Sequence, residues 1–261
     1  MDFDLLINII ISNWHIILLF FIVAVLYSSV GFGGGSSYLA ILALTLTGIA
    51  YTQIRSTALL CNIIVVSGNV LLFHKQKLYH WKKVIPLVLF SVPLAFLGGY
   101  LRISQTFFFV LLGFTLLFAA ITMWVSKRIV SKNDATKELS LTKNVSYGGV
   151  IGFISGMVGI GGGIFLAPLL HLTHWNVPKK IAATASFFIL VNSTSGLIGQ
   201  YTNPDFVIDW NLTSVLLIVV FIGGQIGSRF SNRFFTPSQL KKATAILIAF
   251  VSIRILIKYL F

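Results

Sequence analysis

Charged residues are scarce in this chain of 261 residues. Only 10% of its residues are charged, 57% are hydrophobic, and the mean hydropathy is +0.94. Since a soluble domain has about 25% charged residues, this composition excludes an ordinary water-soluble protein. Most uncharged runs approach or exceed the roughly 18–20 residues with which a helix crosses hydrocarbon. These runs are 5–54, 56–74, 84–101, 103–126, 144–178, 181–204 and 210–228.

Acidic residues and cysteine are rarer still. All six carboxylates lie in loops or at chain ends, so none is available within a span as a proton relay or cation ligand, which disfavours cation transport. The lone cysteine, Cys61, excludes an intrachain disulfide and a cysteine-based metal site. The spans contain no zinc motif and no Ser/His/Asp set, and no phosphate-binding loop occurs. We therefore expect no enzymatic activity and no cofactor.

Basic residues give a net charge of +13, but they are not gathered on one face as a nucleic-acid site requires. Instead, 15 of the 19 lie in four short loops, which the positive-inside rule assigns to the cytoplasm. The N-terminus is then outside, and the basic residues predicted on that face are Arg55, Arg102, Arg254 and Lys258. The four cytoplasmic loops are 75–83, 127–143, 171–180 and 229–242.

A glycine motif occurs twice, 128 residues apart. Residues 31–35 (GFGGG) correspond to residues 159–163 (GIGGG), and the spacing holds across most of the chain. The sequence therefore predicts a first membrane repeat at 1–126, a cytoplasmic linker at 127–143 and a second membrane repeat at 144–261. The loop charges give the two repeats opposite orientations, which is the inverted-repeat architecture of many secondary transporters.

Each repeat is expected to contain a glycine-tipped hairpin or pair of short helices followed by three transmembrane helices, in an all-α integral membrane protein. Together the repeats give about 8–10 membrane segments. The arms of the second motif, about 144–158 and 164–176, are too short to span comfortably, which favours a re-entrant hairpin. Two short full crossings remain the alternative, because both return the chain to the same side.

Consecutive glycines in a span leave backbone groups unpaired unless they face protein or a wet cavity. The helix after each motif directs free N–H groups and its positive dipole end at the turn, which suits a bound anion. Polar residues within the third segment of each repeat, and Gln225 near the later glycines, are further candidate ligands. The residues expected to bind substrate are Gly33, Gly34, Gly35, Ser36, Ser37, Asn62, Gly161, Gly162, Gly163, Asn192, Ser193, Ser195 and Gln225.

At its glycine motifs the sequence resembles the TauE/SafE family of sulfite exporters, also called the four-toluene-sulfonate uptake permease family. The resemblance rests on 28–35 (SSVGFGGG) and 155–168 (SGMVGIGGGIFLAP), and is extended by 182–186 and 223–229. The first repeat departs from the family pattern at 36–40, where SSYLA replaces an apolar stretch and a proline. The resemblance implies movement of sulfite, sulfonates or other small sulfur-containing organic anions across the bacterial cytoplasmic membrane, with export as the expected direction.

Together these patterns predict a secondary transporter of a small anion, with one bundle rocking against the other around a midplane site. The alternative is a passive anion channel built around the same cavity. The expected partners are a small anionic substrate and the lipid bilayer, with no nucleic acid. The sequence leaves open the substrate's identity, the direction of transport, the energy coupling and the formation of homo-oligomers.

Overall fold

The computed structural model describes residues 3–46, 49–125, 140–204, 206–229 and 237–260. This described part contains ten α-helices and no strand, which confirms the predicted all-α class. The helices are α1 Phe3–Ser29, α2 Gly35–Thr45, α3 Tyr51–Lys75, α4 Trp81–Tyr100, α5 Gln105–Val125, α6 Leu141–Val158, α7 Gly163–Leu172, α8 Pro178–Tyr201, α9 Trp210–Arg229 and α10 Pro237–Leu260.

Six helices, α1, α3, α4, α5, α8 and α9, are long and apolar enough to cross a membrane. Helices α2 and α7 are also apolar but have only 11 and 10 residues. At 1.5 Å per residue each is about 15–17 Å long, roughly half the hydrocarbon thickness. Helix α1 is kinked at Asn13, which has the non-helical dihedrals φ −116° and ψ 18°. The kink separates residues 3–12 from the rest of α1.

The order of the helices repeats, and so does their packing. Helix α4 packs on α6 and α8, while the corresponding helices α9, α1 and α3 pack in the same way. Helices α2 and α7 lie against α3 and α8 respectively, and also against α10 and α5. The remaining large contacts, α3 with α8 and α5 with α10, join a helix to its own counterpart. The main helix contacts are therefore the same when each helix is exchanged for its counterpart.

Glycines bring the backbones of α4 and α6 into direct contact. They recur every four residues on α6, at Gly148, Gly152 and Gly156, as in other membrane helices that pack through small residues. A Cβ atom on Gly156 would lie 2.1 Å from the carbonyl oxygen of Ala95 on α4. The corresponding contact between α1 and α9 is equally close, since a Cβ on Gly227 would lie 2.2 Å from the Val25 carbonyl.

One charge is placed differently from the sequence-based prediction. Charge counting assigns Arg55 to the external boundary of a span, whereas the structure places it in the second turn of α3 with 2% of its surface exposed. The difference arises because α3 begins at Tyr51, before the charge that separates the first two uncharged runs. Residues 127–139 of the predicted linker and 230–236 of the last predicted cytoplasmic loop lie outside the described residues.

Candidate functional site

The two glycine motifs form sharp turns between a long helix and a short one. The first turn joins α1 to α2, with Gly31 at φ +87° and Gly34 at +89°. The second joins α6 to α7, with Gly159, Gly161 and Gly162 at φ +86°, +79° and +83°. These left-handed conformations favour glycine, so the motif composition is a requirement of the backbone path.

Both turns are closed by the same hydrogen bonds, displaced by 128 residues. The Gly34 carbonyl accepts the amides of Ser37 and Tyr38 at 2.9 and 3.0 Å. The Gly162 carbonyl likewise accepts two amides from the start of α7, at 3.1 and 3.0 Å. The turns therefore share one backbone architecture.

Side chains from the long helices satisfy the turn carbonyls. Ser186 on α8 donates to the Gly31 carbonyl, and Asn69 on α3 donates to the Phe32 carbonyl at 3.3 Å. Asn62 on α3 donates to the Ile160 carbonyl of the second turn at 3.4 Å. Side chains thus satisfy the carbonyls of Gly31, Phe32 and Ile160.

Several amides of the turns, by contrast, have no hydrogen-bond acceptor among the described residues. In the described part of the chain, the amides of Gly34 and Ser36 in the first turn make no hydrogen bond. The same holds for Gly163 and Ile164 at the start of α7. Because an uncompensated helix N-terminus carries partial positive charge, this excess of donors favours a negative guest.

Asn62 joins the two turns. Its Oδ1 accepts the Gly35 amide of the first turn at 3.0 Å, while its Nδ2 donates to Ser193 Oγ on α8 at 2.9 Å. The same Nδ2 reaches the Ile160 carbonyl of the second turn. The side chain is 1% exposed, and a Cβ on Gly33 would lie 2.0 Å from its Oδ1. One amide side chain therefore fixes the position of both motifs.

The two glycine turns meet at about the middle of α3 and of α8. Asn62 is the twelfth of the 25 residues of α3, and Ile189, which contacts Gly163, is the twelfth of the 24 residues of α8. At 1.5 Å per residue, each lies about 16 Å from the first residue of its helix. Since α3 and α8 each have the length of a full membrane crossing, the turns lie deep within the helix bundle.

A small cavity lies between the turns. Its volume is about 20 Å³, close to the space of one water molecule. An anion with several heavy atoms can enter only if the cavity walls move apart. The cavity is lined by Tyr27, Phe32, Gly33, Gly34, Gly35, Ser36, Asn62, Met123, Ile160, Gly163, Ile164 and Ile189.

Three further residues predicted to bind substrate lie close behind this lining. Gly161 and Ser193 are grouped around Asn62, because a Cβ on Gly161 would lie 2.4 Å from Ser193 Oγ and 2.6 Å from Asn62 Nδ2. The Ser37 hydroxyl is hydrogen-bonded to the hydroxyl of Tyr27 at 2.7 Å. These three residues therefore contact lining residues without lining the cavity themselves.

The other four predicted binding residues lie elsewhere in the bundle. Asn192 donates to Ser91 Oγ on α4 at 3.0 Å, and Ser195 donates to the Val92 carbonyl at 2.6 Å. Gln225 on α9 lies against Gly68 of α3, where a Cβ would be 2.9 Å from its Nε2. Gly162 packs on Phe188, Ile151 and Ser155 rather than on the cavity. In this conformation these four residues take part in helix packing.

Two features of the site were not predicted from the sequence, namely the apolar wall of the cavity and one buried charge. The wall includes Phe32, Ile160 and Ile189, which look like ordinary apolar span residues. Arg55 does not line the cavity but packs against Gly159, which precedes the lining residue Ile160. Its Cβ and Cγ lie 3.3 Å from the position that a Cβ on Gly159 would take. A single charge between two uncharged runs, 5–54 and 56–74, was the signal that could have placed it inside the bundle.

Comparisons with known proteins find one family and several relatives described as membrane transporters. The model of one protein family, described as "Sulfite exporter TauE/SafE", matches residues 16–255. A "Probable membrane transporter protein" of Sinorhizobium fredii is 33% identical over 243 residues, which cover 91% of this chain and 95% of that protein. Proteins described in the same words from Methanocaldococcus jannaschii and Bacillus subtilis are 29% and 22% identical, over 72% and 70% of this chain and 72% of each relative. No solved structure matches.

Proposed function

The chain belongs to the TauE/SafE family of sulfite exporters and is a multi-pass membrane transporter, and from this membership we propose that it carries a small anion such as sulfite or an organosulfonate. The proposed site is the cavity between the two glycine turns. Its proposed direction is export across the bacterial cytoplasmic membrane, with the N-terminus outside.

The observation that carries the proposal is a set of amides without hydrogen-bond acceptors at the starts of α2 and α7. The residues that bear these amides line the same cavity. Two helix N-termini facing the same space give it a positive potential without any mobile charge. The described spans contain no Asp or Glu to reverse that potential. A sulfur oxyanion presents several acceptor oxygens to these donors.

The proposed architecture is an inverted repeat. Three long helices follow each hairpin, and an odd number of crossings brings α6 to the side opposite the start of α1. The exchange symmetry of the helix contacts supports two equivalent halves. Alternating access around a central site is the transport mechanism that such a repeat serves. The small volume of the cavity fits a state in which the site is closed.

Purified protein in proteoliposomes tests the proposal by uptake of labelled sulfite. We expect saturable flux with counterflow when sulfite is present on both sides, whereas flux without saturation or counterflow would indicate the passive anion channel. Gly33→Ala should reduce flux at least about tenfold, because its Cβ would overlap Asn62 Oδ1 and displace the turn by roughly 1 Å.

The matched control is Gly224→Ala, whose Cβ would meet its nearest neighbour on α3 at 3.3 Å and does not touch the cavity. Its flux should stay within about twofold of the unmodified protein. Equal flux from both variants would contradict a role for the first turn. Absence of flux for sulfite and for organosulfonates in the unmodified protein would contradict the proposed substrate class.

A further inference from the structure

Arg55 is a buried cation without an acidic partner. It is 2% exposed, and in the described part of the chain its side chain forms no ion pair with a carboxylate. A charge buried among membrane helices is costly, and such residues usually mark a substrate pathway or a counter-ion site. The environment of the guanidinium shows how its charge is compensated.

The protein compensates this charge only in part. The Arg55 Nη2 atom donates to the Gly156 carbonyl at 3.1 Å and to the Gly99 carbonyl at 3.4 Å. These carbonyls lie in the last turns of α6 and α4, at the negative ends of the two helices. The rings of Tyr51 and Phe108 lie 5.9 Å from the guanidinium carbon. The buried Nε atom has no hydrogen-bond partner.

Arg55 also occupies a defined place relative to the cavity. It precedes Asn62 by seven residues on α3, which is about 10 Å along the helix axis. Its side chain contacts Gly159, the first glycine of the second turn. The guanidinium is enclosed where α3 begins, α4 ends and α5 begins. It therefore lies between the central cavity and the membrane face at which these three helix ends meet.

We propose that Arg55 is a second anion-binding residue on the transport path, which receives the substrate between the central cavity and that face. The inference rests on the proposed function and deepens it. When the ends of α4 and α6 move away, the guanidinium loses its two carbonyl acceptors and exposes its planar fork of donors. That fork matches a group with two oxygens on one centre, such as sulfite, a sulfonate or a carboxylate.

The first test compares Arg55→Gln, Arg55→Lys and the control Arg102→Gln in proteoliposomes. Arg102 is an exposed arginine three residues after Gly99, so its change removes the same charge from the same end of the bundle. We expect Arg55→Gln to raise the KM for sulfite at least about tenfold, because a charge-assisted hydrogen bond to the anion is lost. The KM of Arg55→Lys should lie between that of the unmodified protein and that of Arg55→Gln. Arg102→Gln should change the KM less than about twofold.

Thermal unfolding separates this role from a purely structural one. If Arg55 only caps α4 and α6, its glutamine variant will have a lower Tm without anion and an unchanged KM, and the inference is overturned. If the variant binds sulfite weakly, the rise in Tm that sulfite causes in the unmodified protein will be reduced. An unchanged sulfite-dependent rise in Tm would also overturn the inference.

A measurement on the unmodified chain covers the case in which the glutamine variant does not fold. An arginine-specific dicarbonyl reagent is applied to the reconstituted protein with methanesulfonate or with gluconate, neither of which consumes the reagent as sulfite would, and Arg55 modification is measured by mass spectrometry. We expect modification in gluconate and protection by methanesulfonate. Equal modification in both, or none in either, overturns the inference. Absence of any flux of sulfite and of organosulfonates in the unmodified protein is a separate result, which overturns the proposed function itself.

Discussion

Asn62→Asp is the change that most directly tests the central cavity. The substitution keeps the shape of the side chain and the acceptor for the Gly35 amide. It replaces the Nδ2 donor, which reaches Ser193 and the Ile160 carbonyl, with an oxygen atom. The ionised carboxylate of this variant would bring a negative charge to the wall that is proposed to face the anion.

The size of the effect follows from the geometry of the site. Two negative charges about 4 Å apart repel by about 4 kcal/mol at an effective dielectric constant of roughly 20. This energy corresponds to a loss of about a thousandfold in anion affinity. The hydrogen bond lost at the second turn adds to the loss, since the buried Ile160 carbonyl keeps no donor, whereas the Ser193 hydroxyl can donate to the carboxylate.

Asn69→Asp is the matched control, because Asn69 is also 1% exposed on α3 and also donates to a turn carbonyl, that of Phe32, but does not itself line the cavity. The two variants therefore each lose a donor to a turn carbonyl and differ in the position of the new charge. Asn69 follows Asn62 by seven residues, so its charge would be about 10 Å further along the helix. At that separation the repulsion falls to about 1–2 kcal/mol, or roughly tenfold in affinity.

The assay is binding and flux of methanesulfonate, which is a fully ionised monoanion, in proteoliposomes at about pH 8, well above the ordinary pKa of an aspartate. Purified variants are first compared by thermal unfolding to establish that each one is folded. We expect the two aspartate variants to differ by about a hundredfold in apparent affinity. Similar losses in both variants, or unchanged binding in Asn62→Asp, would refute the assignment of the anion to the space beside Asn62.

Two further predictions concern the bundle around the site. Gly156→Ala should lower the Tm by several degrees, because its Cβ would lie 2.1 Å from the Ala95 carbonyl of α4; a scan that shows no decrease relative to Gly224→Ala would contradict the α4–α6 contact. Cys61, which is fully buried, should resist a membrane-permeant maleimide in the folded protein and react after unfolding in detergent; rapid labelling of the native protein would place the middle of α3 at an exposed surface.

The sequence predicts most of the helix order, because the apolar runs and their flanking charges are strong local signals. The start of α3 is the instructive exception. Residues 51–54 end the first uncharged run and Arg55 separates it from the second, so charge counting places a boundary at Arg55. The structure instead begins α3 at Tyr51 and buries Arg55 against α4, α5 and α6. Burial of a charge depends on distant parts of the chain, which local patterns do not reveal.

The candidate site was predictable in its backbone but not in its side chains. The paired glycine motifs identify the turns, since three consecutive glycines in an apolar run indicate a break in the helix with left-handed backbone conformations. The sequence did not show which polar residues of α8 lie near the cavity and which pack on other helices. Asn192 and Ser193 are adjacent in sequence, but Asn192 bonds to α4 and Ser193 bonds to Asn62. A helix rotates by about 100° per residue, so neighbours in a polar cluster face different partners.

The backbone contacts between α4 and α6, and between α1 and α9, limit how this protein can change shape. Both pairs join the N-terminal half of the chain to the C-terminal half. A hinge that separated one half from the other would break both contacts at once. The rigid bodies of any conformational cycle that preserves them are therefore mixed, with α4 moving together with α6, and α1 together with α9.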